Sequence, residues 1–262
     1  MIASVWRNRE LLVALVRREV AGRYRGSLMG ILWSLLNPVL MLLVYTFVFS
    51  VVFGARWKVA GDSKTEFALI LFVGLIVFNL FAECVNRAPG LILSNPNYVK
   101  KVVFPLEILP WVVLGSSAFH ALVSLAVWLV AYAALVGSPH ATALLLPFVI
   151  LPLLLLTMGF AWTLASLGVY LRDVSQIIGV VTTILLFLSP VFYPASALPE
   201  TYRSLLLLNP LTPAIEQARA VLIRGEAPDP AFLLGYLLLA ATFAWAGFAW
   251  FQKTRRGFSD VI

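Results

Sequence analysis

Charge is scarce in this chain and cysteine is nearly absent. Of 262 residues, 12% are charged and 61% are hydrophobic. A soluble domain carries about a quarter charged residues, so a surface facing water on every side is excluded. The apolar runs leave no room for a separate soluble domain, and the chain reads as one membrane domain, 1–262. A single cysteine, Cys84, excludes an internal disulfide and any multi-cysteine metal site. The two histidines, His120 and His140, lack zinc-ligand spacing, and no metal site is expected. A G-x-x-x-x-G-K-[ST] phosphate loop is missing, and with it that route to ATP. G-x-S-x-G, H-E-x-x-H and a carboxylate cluster are missing too, so no catalytic residue is expected.

What is present is length and apolarity. A spanning helix needs about 20 apolar residues. Six runs qualify as candidates: 28–53, 67–82, 109–136, 143–171, 177–192 and 231–251. The first begins after a charged stretch, 1–27, and is too long for a signal h-region, so no cleavable signal is expected. Pro38, Pro147 and Pro152 fall inside runs, which membrane helices tolerate where neighbours satisfy the freed backbone.

Net charge of +7 suits nucleic acid or, more simply, cytosolic loops obeying the positive-inside rule. An even number of spans puts both termini on one side. That side, with the 83–107 loop and the turn at Arg172, holds thirteen of the nineteen Lys and Arg, while the acidic residues divide equally. Both termini are therefore expected in the cytosol.

Two segments depart from a plain bundle. In 1–27, Leu11, Leu12, Leu15 and Val16 fall at helical spacing among Arg17, Arg18 and Arg23, and Glu19 and Arg23 stand four apart, able to pair. Such a helix lies along the cytosolic membrane surface; a plain positive-inside anchor is the alternative. Between 194 and 230, four leucines at 205–208 and a mixed stretch 211–223 are too short to cross. Thr212 can N-cap the second, with Pro213 at its first position. They read as re-entrant helices packed against protein, or as an amphipathic helix on the outer surface.

The spans hold no Asp, Glu, Lys or Arg. Ion-driven transporters normally carry ionisable groups there. His120 is the one candidate, and its ordinary role is a hydrogen bond between helices. A chain built to move something, without its own energy source, needs a partner to supply it. The 86–105 loop is where one would dock. Pro89 can open a short helix and Asn95-Pro96 can end it, and Leu91, Ile92 and Leu93 suit a groove on another protein or packing on the membrane surface. Arg172 and Asp173 complete that face.

Several stretches together resemble a family. Arg17-Arg18-Glu19, the run from Arg23-Tyr24-Arg25-Gly26 through Trp33 to Asn37-Pro38, Lys100-Lys101-Val102-Val103-Phe104-Pro105 with Glu107, Leu171-Arg172-Asp173, Ser189-Pro190 with Tyr193, and Asn209-Pro210 are similar, in order, to the type-2 ABC exporter permeases of polysaccharide and O-antigen export (Wzm-like). The resemblance implies an all-α integral membrane protein of the bacterial inner membrane: six transmembrane helices, an N-terminal amphipathic interface helix, and outer re-entrant helices between spans five and six. It implies a homodimer above two ATP-binding cassette subunits, with ATP and Mg in those subunits and no cofactor in this chain. The cargo would be a polysaccharide on a polyprenyl diphosphate lipid, moved from cytosol to periplasm, and no nucleic acid is expected. Residues 89–97 would be the coupling segment, with Leu91, Ile92, Leu93, Ser94, Asn95, Asn97, Lys100, Lys101, Arg172 and Asp173 facing the partner.

Sugar polymers offer apolar C–H faces on which aromatic rings stack without gripping one linkage. Trp33, Tyr45, Phe49 and Phe53 along the first run, with Phe187, Phe192 and Tyr193 near the end of the fifth, are channel candidates; lipid-facing or packing aromatics are the alternative. Arg17, Arg18, Arg23 and Arg25 can attract the lipid diphosphate, although positive-inside placement alone also puts them there. Teichoic acid, capsule or a small amphiphile would be alternative cargoes. A membrane enzyme acting on lipid-linked sugars would need a carboxylate or histidine dyad at the membrane face.

Overall fold

The structure, a computed structural model, describes residues 2–48, 64–100, 104–194, 199, 206 and 208–261. Their regular elements are all helical. In order they are α1 (Ile2–Arg7), α2 (Arg9–Arg23), α3 (Trp33–Tyr45), α4 (Lys64–Arg87), α5 (Pro96–Val99), α6 (Leu109–Leu135), α7 (Leu146–Tyr170), α8 (Val174–Leu188), α9 (Leu211–Arg219) and α10 (Pro230–Thr254).

Five helical stretches are long and apolar enough to cross a membrane: Gly30–Val48, Glu66–Arg87, Leu106–Leu135, Ala141–Tyr170 and Pro230–Ser259. The expected fifth span differs. The run 177–192 becomes α8, 15 residues long, about 22 Å of rise against a hydrocarbon core of about 30 Å. The cause is local: Pro190 excludes the residue before it from helical geometry, and Ser189 sits at φ −85°, ψ 149°. Phe192 and Tyr193 therefore lie beyond the helix. The second span departs the other way. Helix α4 continues to Arg87, so Glu83 and Arg87, placed in a loop from sequence, belong to a spanning helix.

Helix α4 runs through the middle, with α3, α6, α7, α8 and α9 around it. Its apolar residues are buried on nearly all sides, which lipid alone would not require. Polar groups fix the register: Trp128 of α6 donates its indole N–H to the Leu69 carbonyl at 2.9 Å. Helix pairs in lipid gain by close van der Waals approach at small residues. Between α7 and α10 that approach is made by Gly159 and Gly247; a Cβ on Gly247 would strike the Gly159 backbone.

The chain returns to one end at both termini. Glu107, buried at the start of α6, accepts from Ser4 Oγ on α1 at 3.0 Å and from Arg255, just past α10, at 2.8 Å. Its backbone carbonyl also takes the Trp162 indole N–H of α7 at 3.2 Å. The basic helix α2 seats Leu15 against Ile108 and Val112 of the α6 region. The expected Glu19–Arg23 pair does not form: Glu19 pairs with Arg87 and Arg23 with Glu83, both on α4.

At the opposite end α9 is buried against α4 and α7, matching the expectation of a short helix packed on protein. It starts earlier than expected. Pro210 is its N-cap, and Asn209 Oδ1 accepts from the Leu211 N–H at 3.0 Å; Thr212 lies inside the helix and does not cap it. The leucines at 205 and 207 lie outside the described residues.

Candidate functional site

At the end shared by the termini, α2 crosses α4 and α6, and three pairs tie them. Arg23 bonds Glu83, Glu19 bonds Arg87, and Tyr24 meets His120. Arg87 Nη1 also lies 3.7 Å from Glu83 Oε1. Guanidinium groups only donate, so Arg23, 3.1 Å from His120 Nδ1, makes that nitrogen an acceptor. In a neutral ring the proton then sits on Nε2, 3.1 Å from the Tyr24 hydroxyl. Burial pushes the Tyr24 phenol up, against the pull of Arg23. His120 thus joins helices by hydrogen bonds, as its sequence position suggested.

This network stands between two hollows. On the α2 side a cavity of about 590 Å³ is lined by Arg18, Glu19, Arg23, Glu83, Asn86 and Arg87. Deeper, between α3, α4 and α6, a cavity of about 480 Å³ is lined by Ser34, Asn37, Tyr45, Asn79, His120 and Ser124, among others. Arg23, Glu83 and Asn86 line both. From sequence Asn37 carries only the family resemblance and Asn79 no expectation, although each is an amide inside an otherwise apolar run.

Of the expected lipid-diphosphate residues, Arg18 and Arg23 line these cavities. Arg18 also donates to the Tyr98 hydroxyl at 2.8 Å, linking α2 to α5. Arg17 and Arg25 are exposed on the surface.

The expected docking segment folds differently. Residues 88–94 form turns, and the short helix α5 begins at Pro96 rather than ending there. Proline suits a first helical position, where its missing N–H costs nothing. Leu91 and Ile92 do not face outward: Ile92 is 0% exposed, in a cluster with Trp162, Phe251 and Phe258. Their apolar surface serves this chain's own core, which is the correction to their expected role as groove anchors. Leu93 and Asn95 are half-buried, while Ser94, Asn97, Lys100, Arg172 and Asp173 are exposed. Lys101 lies outside the described residues. The 88–94 turns press on α7 so closely that a Cβ on Gly168 would collide with the Pro89 backbone. That contact brings the Arg172–Asp173 turn to the same end.

The channel candidates separate. Tyr45 lines the deeper cavity, whereas Trp33, one turn before Asn37, is exposed. Phe187 and Phe192 pack at 5.8 Å and the Tyr193 hydroxyl donates to the Phe187 carbonyl at 3.1 Å, at the far end of α8. Phe49 and Phe53 lie outside the described residues.

Helical spans, a basic N-terminal helix docked on them and a polar turn beside α5 agree with one wider match. Residues 10–223 match the ABC-2 type transporter family. The chain belongs to this family. It is 31% identical over 264 residues to the "O-antigen export system permease protein RfbA" of Myxococcus xanthus, covering 100% of the chain and 99% of that relative. A Klebsiella pneumoniae protein of the same description is 23% identical over 97% of the chain and 95% of its own length. The "Polysialic acid transport protein KpsM" of Escherichia coli is 25% identical over 81% of each. The family match reaches from α2 through α9, and so includes both cavities and the turns around α5.

Proposed function

We propose that this ABC-2 family member is the transmembrane subunit of an ATP-driven exporter of polysaccharide linked to polyprenyl diphosphate, of the O-antigen type. One observation carries the reading: similarity to an O-antigen export permease runs the full length of both chains. In this reading the chain works as a homodimer in the bacterial inner membrane, with two ATP-binding cassette subunits beneath it. Those subunits bind ATP and Mg and perform the hydrolysis. The end shared by the termini is cytosolic, which agrees with the distribution of Lys and Arg. The short α8, continued by 189–193, makes the fifth of six crossings, and α9 enters the outer leaflet from the periplasm.

Docking then falls to the exposed polar surface, Ser94, Asn97 and Lys100 with Arg172 and Asp173. Leu91, Ile92 and Leu93 support it from behind. Force from the cassette subunits on the 88–100 segment reaches α7 through Pro89 and Gly168, and α2 through Tyr98 and Arg18. Arg17, Arg18, Arg23 and Arg25 attract the lipid diphosphate, and Tyr45, Phe187, Phe192 and Tyr193 offer rings to a sliding sugar chain. A capsule exporter is the second reading, favoured by the 25% identity to a polysialic acid transport protein.

Deletion of the gene tests this. Surface polymer should vanish and lipid-linked polymer should accumulate inside the cell; the wild-type gene should restore export. An Asn97→Trp variant, bulky at the exposed docking surface, should insert in the membrane yet fail to restore it. Unchanged surface polymer in the deletion strain overturns the reading, and accumulation of a capsular polymer instead selects the second.

A further inference from the structure

We infer that the deeper cavity, between α3, α4 and α6, is a binding chamber for the first sugar of the cargo, closed toward the cytosol by the Arg23–Glu83 pair. The inference rests on the export reading above and adds to it a site, a ligand chemistry and a gate.

The wall of the chamber is polar where lipid-facing helices are not. Asn79 lies eight residues before the end of α4, about 12 Å of helix rise. It and Asn37 are exposed to the open space of the cavity, which both line, and make no side-chain hydrogen bond among the described residues. Pro38 has no N–H to give the Ser34 carbonyl, which adds a backbone acceptor to the same wall. Unsatisfied amides and carbonyls at membrane depth are costly. Such groups persist where a hydrated cavity or a ligand meets them. Two amides, a freed carbonyl and the Tyr45 ring present donors, acceptors and an apolar face together, the chemistry that a hexose ring matches.

Charge argues against a diphosphate in the same place. Among the described residues, the only arginine or lysine lining the deeper cavity is Arg23, and Glu83 pairs with it. The outer cavity differs: Arg18, Arg23 and Arg87 line it with Glu19 and Glu83. A diphosphate there can compete with Glu83 and Glu19 for the arginines, since phosphate oxygens accept bidentate bonds from guanidinium. Once Arg23 leaves, the His120 proton moves to Nδ1 and bonds Glu83 Oε2, 3.4 Å away, while the Tyr24 hydroxyl donates to Nε2. Arg23 Nη1 now spans both partners, and its side chain is 50% exposed against 19% for Glu83. The mobile member of the gate is therefore the arginine. Pulling it toward the outer cavity opens the way between the hollows: the diphosphate stays outside and the attached sugar enters.

The test uses accessibility of cysteine in the intact complex with its cassette subunits, reconstituted in lipid vesicles, in a Cys84→Ala background. Ala121→Cys reports on the chamber and Gly22→Cys on the outer cavity, positions that line the two hollows without supplying a binding group, each by its rate of reaction with a membrane-impermeant methanethiosulfonate applied to the cytosolic face. Vesicles carry undecaprenyl phosphate, undecaprenyl diphosphate, or undecaprenyl diphosphate-N-acetylglucosamine. The sugar-bearing lipid should slow labelling of Ala121→Cys at least fivefold relative to the sugarless diphosphate, while both diphosphates slow Gly22→Cys alike. A conservative Asn79→Gln variant should retain export and Asn79→Leu should lose it. Equal protection of Ala121→Cys by the sugarless diphosphate, or none by the sugar-bearing lipid, overturns the chamber. Failure of the export reading itself would appear separately, as undiminished surface polymer in the deletion strain.

Discussion

Removing one buried guanidinium should loosen the end of the molecule opposite the termini. Arg219, on α9, is 2% exposed. Its Nε donates to the Ile70 carbonyl at 3.2 Å, Nη2 to the Val191 carbonyl at 2.8 Å, and Nη1 to the Pro190 carbonyl and to Glu216. One side chain thus joins α9, α4 and the unwound residues after α8. Pro190 and Val191 follow a helix end and their carbonyls have lost helical partners, which is why a multivalent donor fits. Burial pulls the guanidinium pKa down to about 10, partly offset by Glu216, so it stays charged at neutral pH.

In Arg219→Met the Pro190 and Val191 carbonyls are orphaned, at about 1–3 kcal/mol each, while the Ile70 carbonyl keeps its partner within α4. Relief of the buried charge returns part of that, and a net loss of about 3 kcal/mol remains. For a chain of this size the Tm should fall by about 6–12 °C, at roughly 2–4 °C per kcal/mol, read by tryptophan fluorescence of the protein in nanodiscs. A second substitution makes the reasoning specific. A Cβ on Gly74 would lie 2.8 Å from Arg219 Nη2 and 3.4 Å from Val191 Cα. Gly74→Ala should therefore destabilise by displacing the guanidinium, at about 1–3 kcal/mol. In the double variant the flexible methionine leaves room for the new methyl, so the two losses should fall short of additive by about 1 kcal/mol. A Tm within about 2 °C of wild type for Arg219→Met, or strict additivity, would refute the clamp.

Two further outcomes follow from the other end. Gly168→Ala sets a methyl against the Pro89 backbone, which cannot yield as a side-chain tip does. It should displace the 88–94 turns and cut ATPase stimulation by about tenfold while the protein still inserts; unchanged stimulation in vesicles would remove that contact from the coupling path. Glu107→Gln keeps the shape but weakens the bond to Arg255, itself about two-fifths exposed, so the loss is about 1 kcal/mol after screening. Trypsin should then cleave at Arg255 or Arg256 faster than in wild type, and equal cleavage rates would show that Glu107 does not hold the C-terminal turn.

The sequence by itself determined the class. Scarce charge and long apolar runs demand helices, because only closed hydrogen bonding survives in hydrocarbon, and the ordered motifs carried the family. It also placed His120 correctly as a link between helices. Tertiary structure decided what composition could not. Leu91 and Ile92 look like a docking ridge in one dimension, yet Trp162, Phe251 and Phe258 arrive from distant positions to bury them. Glu19 and Arg23 fit each other at four-residue spacing, yet each takes a partner from α4 instead. Side chains spend their hydrogen bonds on whichever group the fold brings near, and periodicity reports only neighbours on the same helix. Asn37 and Asn79 make the point in reverse: two scattered amides in apolar runs become one wall only after α3 and α4 pack together.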